Sequence, residues 1–65
     1  MIKINGKEID FVPGQSVKEL LEGQGFEEGR IAVERNGDIL PKRAYEQTMV
    51  EDQDVYEVVN FVGGG

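Results

Sequence analysis

The first twelve residues, MIKINGKEIDFV, alternate apolar and polar side chains on both sides of an Asn-Gly pair. Asn and Gly both tolerate a positive φ, so this pair predicts a β-hairpin. A two-residue loop pairs Ile2 with Ile9 but sets the next apolar residue, Ile4, opposite a lysine. A four-residue loop instead pairs Ile4 with Ile9, and either loop keeps all four apolar residues on one face. It also brings Ile2 opposite Phe11, and we favour it for this better pairing.

The following stretch, PGQSVKELLEGQG, predicts that the hairpin ends and a short helix begins. Ser16 and Glu19 have the spacing of a capping box, in which each side chain bonds the other residue's backbone N–H. Val17, Leu20 and Leu21 form one apolar stripe, and two glycines just beyond them end the helix. A helix of about two turns is marginal alone, so we expect it to pack on the apolar face of the hairpin.

The rest of the chain predicts further strands. The segment RIAVERN is interpreted as a strand with Ile31 and Val33 in the core. A second Asn-Gly pair follows it, and then a short strand, DILP, which ends at Pro41. Residues 42–54 are interpreted as a loop with one helical turn, anchored by Tyr45 and Val50. VYEVVNFV is the strongest strand, being β-branched or aromatic almost throughout. The predicted fold is α+β, with one helix crossing a mixed sheet of four to five strands, which is the β-grasp arrangement.

The last strand carries apolar residues on both faces. Tyr56 and Val58 alternate with Glu57, which should face water, so we place the first two in the core. That leaves Val59 and Phe61 on the open face of the sheet, beside the glycines that follow. Scattered exposed apolar side chains are ordinary in soluble proteins. A cluster beside a terminus is more typical of a surface that docks a partner, and we interpret Val59 and Phe61 in this way.

Composition narrows the possible functions. The 65 residues include no Cys and no His, so the commonest general base and the commonest metal ligands are missing, and we expect neither an enzyme nor a metal site. The acidic stretch EDQD at residues 51–54 lacks the glycine and final glutamate of an EF-hand loop and is interpreted as a solvated turn.

Charge and hydropathy argue against nucleic acid and membrane as partners. Thirteen acidic and seven basic residues give a net charge of −6, which repels phosphate backbones and anionic lipid surfaces. No apolar run approaches the roughly 18 residues of a membrane span. The start, MIKINGK, lacks the apolar core of a signal peptide, which predicts a cytoplasmic protein.

The sequence closes with NFVGGG, and we divide the chain into a folded domain, residues 1–62, and a flexible tail, residues 63–65. Glycine suits a backbone that must pass through a space too narrow for a Cβ atom. The distinctive chemical group there is the α-carboxylate of Gly65, which is ionised at neutral pH. Adenylation would convert it into an acyl group that sulfur or an amine could attack. An inert tail would have the same composition.

Four stretches carry a resemblance to a known family: GQSVKELLE (14–22), ERNGDILPKRAY (34–45), VEDQDVYEVV (50–59) and the terminal GGG. In this order they resemble the ThiS family, thiamine-pathway sulfur carriers with a ubiquitin-like β-grasp fold, over essentially the whole chain. The family's terminal di-glycine falls on Gly64 and Gly65, and Gly63 stands where small residues also occur.

The resemblance implies a mechanism and its partners. A ThiF-type adenylating enzyme, using ATP and Mg²⁺, would adenylate Gly65, and a persulfide would replace AMP to leave a C-terminal thiocarboxylate. A cysteine desulfurase is a suitable sulfur donor, and the thiazole synthase ThiG would receive the sulfur. The carrier would be a monomer alone, would bind no cofactor itself and would supply no catalytic side chain.

Two alternatives remain at this point. The first is a related ubiquitin-like carrier that serves molybdopterin, cysteine or tRNA thiolation, or a protein modifier. The second is a β-grasp interaction domain with a non-reactive tail. The function of the second would not change on loss of Gly65, whereas a ThiS-type carrier and the related carriers all require Gly65.

Overall fold

The computed structural model describes residues 1–61. The predictions for Val62, Gly63, Gly64 and Gly65, and for the domain boundary at residue 62, lie outside this range. Within it, one α-helix and five β-strands account for the regular structure, together with two short 3-10 turns. The elements are β1 (Ile2–Ile4), β2 (Lys7–Ile9), α1 (Val17–Gly23), β3 (Ile31–Arg35), β4 (Asp38–Leu40) and β5 (Val55–Asn60).

The described strands form a mixed sheet in the order β2-β1-β5-β3-β4. β1 and β5 run parallel, while the other neighbouring strands are antiparallel. The last strand of the chain therefore lies at the centre of the sheet, between the first strand and the third. One helix across such a sheet is the predicted β-grasp architecture. Of the four to five strands predicted, the described residues form five.

The hairpin register differs from our prediction. Ile2 lies opposite Ile9 and Ile4 opposite Lys7, so the loop has two residues, and the favoured four-residue loop is wrong. Asn5 and the following glycine take φ values of 52° and 82°, as in the tight turns that match the twist of paired strands. Ile4 needs no apolar partner on β2, because it is buried in the core beneath the sheet.

The helix begins and ends as predicted. Glu19 N–H donates to Ser16 Oγ at 3.1 Å, and Ser16 N–H donates to Glu19 Oε1 at 2.9 Å, which confirms the capping box. Val17, Leu20 and Leu21 are at most 2% exposed. A helix of seven residues has little stability of its own, so burial of this stripe against the sheet maintains it.

The core lies between the helix and one face of the sheet. Tyr45 and Val50, the predicted anchors of the long loop, are both buried, which confirms their assignment. That loop is also tied to the first turn of α1, since Lys18 N–H donates to the Tyr45 carbonyl at 3.0 Å. Within residues 1–61 no helix has the length and hydropathy of a membrane span. The buried apolar residues are Ile2, Ile4, Val17, Leu20, Leu21, Ile31, Val33, Tyr45, Val50, Tyr56 and Val58.

Candidate functional site on the open sheet face

β5 separates the core from the candidate docking surface. Tyr56 and Val58 are 0% and 5% exposed and lie in the core, as predicted. Val59 and Phe61 are 61% and 56% exposed and face outward. The assignment of the two faces is therefore confirmed, whereas docking of a partner on Val59 and Phe61 stays a prediction. Neighbouring side chains of a strand point to opposite faces, so β5 contributes residues both to the core and to the exposed face.

The end of β5 is held mainly by β3. Asn60 lies opposite Ile31, and Phe61 N–H donates to the Arg30 carbonyl at 2.7 Å. The register with β1 reaches only as far as Tyr56. The backbone is thus fixed up to Phe61, close in sequence to the glycines.

Two asparagines extend the hydrogen bonding of β5 on opposite edges. On the β1 side, the Asn5 side chain donates to the Val58 carbonyl at 3.1 Å and accepts from the Val58 N–H at 2.7 Å. On the β3 side, the Asn36 side chain accepts from the Val55 N–H at 2.9 Å. Both asparagines precede a turn glycine, and the local sequence indicates only their role in the turn. The sequence does hold one signal of the second role. Gly or Asp would also suit such turns, yet Asn occurs in both.

Asp54 is the centre of a buried hydrogen-bond network. Its Oδ2 accepts from Tyr56 Oη at 2.7 Å and from Arg35 Nε at 3.1 Å. Oδ2 also accepts from the Glu51 N–H at 2.9 Å, and Oδ1 accepts from Asn36 Nδ2 at 3.0 Å. Burial opposes ionisation, but together these bonds lower the pKa of the Asp54 carboxyl below its ordinary value. Asp54 is 4% exposed, so the predicted solvated turn is wrong for this residue.

The open face carries an apolar patch interrupted by two carboxylates. The cross-strand pair Ala32 and Val59 lies on this face, and the pair Glu34 and Glu57 lies beside it. Ile39 of β4 is opposite Glu34 and is 80% exposed. These five residues, together with Val33, line a depression of about 160 Å³. We call this feature the open-face depression.

A second depression, of about 540 Å³, lies on the helix side. Its charges have mixed signs, and Lys18 Nζ contacts Glu46 Oε2 at 3.5 Å. Glu28, with one buried oxygen that has no hydrogen-bond partner within residues 1–61, is the main cause of a raised pKa at Lys18. The described residues include no group of three or more acidic side chains placed to hold a metal ion. The lining residues are Lys18, Glu28, Lys42, Arg43, Tyr45 and Glu46.

Comparison with known proteins identifies the family. The model of the ThiS family matches residues 2–65, nearly the whole chain. The chain belongs to the ThiS family. The ThiS match includes Gly63, Gly64 and Gly65, the tail residues singled out in the sequence.

Individual relatives agree with this assignment. The chain is 36% identical to the sulfur carrier protein ThiS of Bacillus subtilis (strain 168), and the match covers all of both chains. It is 45% identical to a thiazole synthase of Paramagnetospirillum magneticum, where the match covers 95% of this chain but only 19% of that protein. The crystal structure of the thiamine biosynthesis protein ThiS from Geobacter metallireducens superposes with a TM-score of 0.74 at 35% identity, covering 98% and 97% of the two chains.

Proposed function

We propose that this protein is the sulfur carrier of a thiamine biosynthetic pathway. The observation that carries the proposal is the match to the ThiS family over residues 2–65, which spans both the folded domain and the terminal glycines. A ThiS protein is a carrier and not a catalyst, so the groups that perform the chemistry belong to its partner enzymes. The role of the folded domain is to present the tail and to bind those enzymes.

The proposed reaction takes place on the carboxylate of Gly65. A carboxylate oxygen attacks the α-phosphate of ATP, pyrophosphate leaves, and an acyl adenylate forms with Mg²⁺ assisting on the enzyme. The terminal sulfur of a persulfide then attacks the acyl carbon, and AMP leaves. A thiol cleaves the resulting S–S bond, which leaves a thiocarboxylate on Gly65 and a disulfide elsewhere. Gly63 and Gly64 would let this carboxylate enter a narrow active site, because neither has a Cβ atom.

Three partners follow from this chemistry. A ThiF-type adenylating enzyme activates Gly65, a donor such as a cysteine desulfurase supplies the sulfur, and a thiazole synthase of the ThiG type accepts it. Relatives named thiazole synthase that contain a segment similar to this chain support the last partner. We further propose that these steps take place in the cytoplasm, and that Val59 and Phe61 contact the adenylating enzyme.

The decisive experiment measures the intact mass of the protein. Incubation with ATP, Mg²⁺, a ThiF-type enzyme and a sulfur donor should exchange one oxygen for one sulfur, and fragmentation should localise the change to the C-terminal peptide. Deletion of Gly65 should abolish the product without moving the melting curve, because the buried core residues lie between Ile2 and Val58 in the sequence.

Addition of one residue after Gly65 serves as the matched control. It keeps every glycine but moves the free carboxylate to another residue, and it should also abolish the product. A thiocarboxylate that forms equally well on the truncated chain would contradict the carrier mechanism. A product obtained only with a different adenylating enzyme would keep the mechanism and move the protein to a related thiolation pathway.

A further inference from the structure

Two carboxylates face each other at the centre of the open face. Glu34 of β3 lies directly opposite Glu57 of β5, so both side chains stand on the same side of the sheet. Like charges at directly opposed positions destabilise a sheet. Within residues 1–61 neither carboxylate takes part in an ion pair. The fold of the free protein therefore gains nothing from this arrangement.

The surroundings of the pair are apolar and exposed. Ile39 is 80% exposed and Val59 61% exposed, and both line the open-face depression together with Ala32 and the two glutamates. The lining of the depression thus combines apolar side chains with two negative charges. Its volume of about 160 Å³ and its mixed lining suit one long side chain that has an apolar stem and a positively charged end.

We propose that a partner protein inserts one arginine into the open-face depression. The aliphatic stem packs on Ile39 and Val59, and the guanidinium donates hydrogen bonds to Glu34 and Glu57 together. Arginine fits better than lysine because its planar fork presents five donors and can serve two carboxylates at once. A metal ion is a poorer occupant, since no group of three or more acidic ligands is present within residues 1–61.

The partner is the adenylating enzyme, and this part of the inference rests on the proposed function. Val59 is both part of the proposed docking surface and part of the depression, so an enzyme that covers Val59 also covers the neighbouring carboxylates. Burial of two unpaired carboxylates is costly, and a purely apolar partner would be rejected. The pair Glu34 and Glu57 would then select, among partners that can cover the apolar patch, the one that brings a cation.

The first test combines stability with affinity. Glu34→Gln and Glu57→Gln, singly and together, should raise the melting temperature of the free protein, because the opposed charges are removed. The same variants should weaken binding to a ThiF-type enzyme at least about tenfold by calorimetry, because the guanidinium loses the negative charges that pair with it. Glu22→Gln on the exposed side of α1 removes the same charge elsewhere and should change the affinity less than about twofold.

Unchanged affinity in the double variant would overturn the proposal, as would an equal loss in Glu22→Gln, which would indicate net charge alone. Thiocarboxylate formation on the unmutated protein is measured in parallel. If that product forms while the variants bind as tightly as the parent, the arginine site is refuted and the proposed function stands. If the unmutated protein gains no sulfur with any adenylating enzyme, the proposed function fails.

A second test identifies the arginine itself. Phenylglyoxal modifies accessible arginines, so the adenylating enzyme is treated with it alone and with saturating carrier, and the modified peptides are mapped by mass spectrometry. The unmutated carrier should protect one enzyme arginine, and the Glu34→Gln, Glu57→Gln double variant at saturation should protect it at least about tenfold less. Protection of no arginine, or equal protection by both carriers, would refute the site.

Discussion

Individual side chains determine how far β5 is held on each edge. Asn5 provides the positive φ that its turn needs, at 52°, and its amide also makes two hydrogen bonds to Val58. Asn36 combines the same two roles on the other edge, at Val55. In both turns the side chain of an asparagine makes the hydrogen bond to β5 that the backbone of a neighbouring strand would otherwise make. The consequence is that β5 stays paired where β1 and β3 have already ended.

Asn5→Gly separates the two roles. Glycine adopts a positive φ without strain, so the turn persists, but both bonds to Val58 are lost. We expect a loss of about 1–3 kcal/mol in the free energy of unfolding, measured by urea denaturation, from two hydrogen bonds of ordinary strength and the added chain entropy. A variant as stable as the parent would show that only the turn conformation matters at this position.

Asp54 predicts an acid-sensitive fold. Its pKa is lowered in the folded state, so its stabilising contribution is complete above the ordinary aspartate pKa of about 4 and is lost as the pH falls below it. Denaturation measured between neutral pH and about pH 2 should show this decline. Asp54→Asn should be less stable than the parent at neutral pH, and the difference should shrink in acid. A constant difference across the range would contradict the assignment.

At the scale of elements, α1 and the sheet depend on each other. The helix has seven residues and one capping box, which are insufficient for an isolated helix in water. Its apolar stripe is the larger contribution, because Leu20 and Leu21 are at most 2% exposed and lie against the sheet. Removal of this contact should therefore unfold the whole domain and not the helix alone.

Leu20→Ala tests this dependence. The lost side-chain burial and the cavity left behind should cost about 2–5 kcal/mol, a large part of the stability of so small a domain. Thermal denaturation should show a single transition at a much lower temperature, or none. Glu22→Ala on the exposed side of the same helix is the control and should change the stability little. A parent-like melt of Leu20→Ala would contradict the packing of the helix.

At the scale of the whole molecule, one face of the sheet is buried in the core and the other is exposed. β5 lies at the centre of the sheet, so its inward residues belong to the core while its outward residues lie between neighbouring strands on an exposed surface. A substitution at an inward position of this strand should therefore impair folding, whereas a substitution at the adjacent outward position should impair binding and leave the fold intact.

Val59→Asp and Phe61→Asp should leave the fold intact, with stability changed by about 1 kcal/mol or less, because both side chains are already exposed. Binding to the adenylating enzyme should fall, since an additional carboxylate would be buried at the contact. Val58→Asp, one residue away and 5% exposed, should instead abolish the folded spectrum. Unchanged enzyme affinity in both outward variants would place the docking surface elsewhere.

Local sequence patterns determined most of the architecture. The alternation around the two Asn-Gly pairs, the spacing of Ser16 and Glu19, and the β-branched last strand each predict an element that the structure contains. The inward placement of Tyr56 and Val58 also followed from the sequence, because the face that includes Glu57 has to meet water. These signals depend on residues close together in the chain. The interpretation of Gly63, Gly64 and Gly65 stays a prediction.

Tertiary structure decided what depends on residues far apart in the chain. The observed hairpin register is accompanied by bonds from Asn5 to a strand residue 53 positions away, and such a distant contact lies outside any local pairing rule. Asp54 is buried because Arg35 and Tyr56 meet it, although its neighbours in sequence read as a solvated turn. The opposition of Glu34 and Glu57 likewise arises only when β3 and β5 pair, since cross-strand register brings together charges that the chain keeps apart.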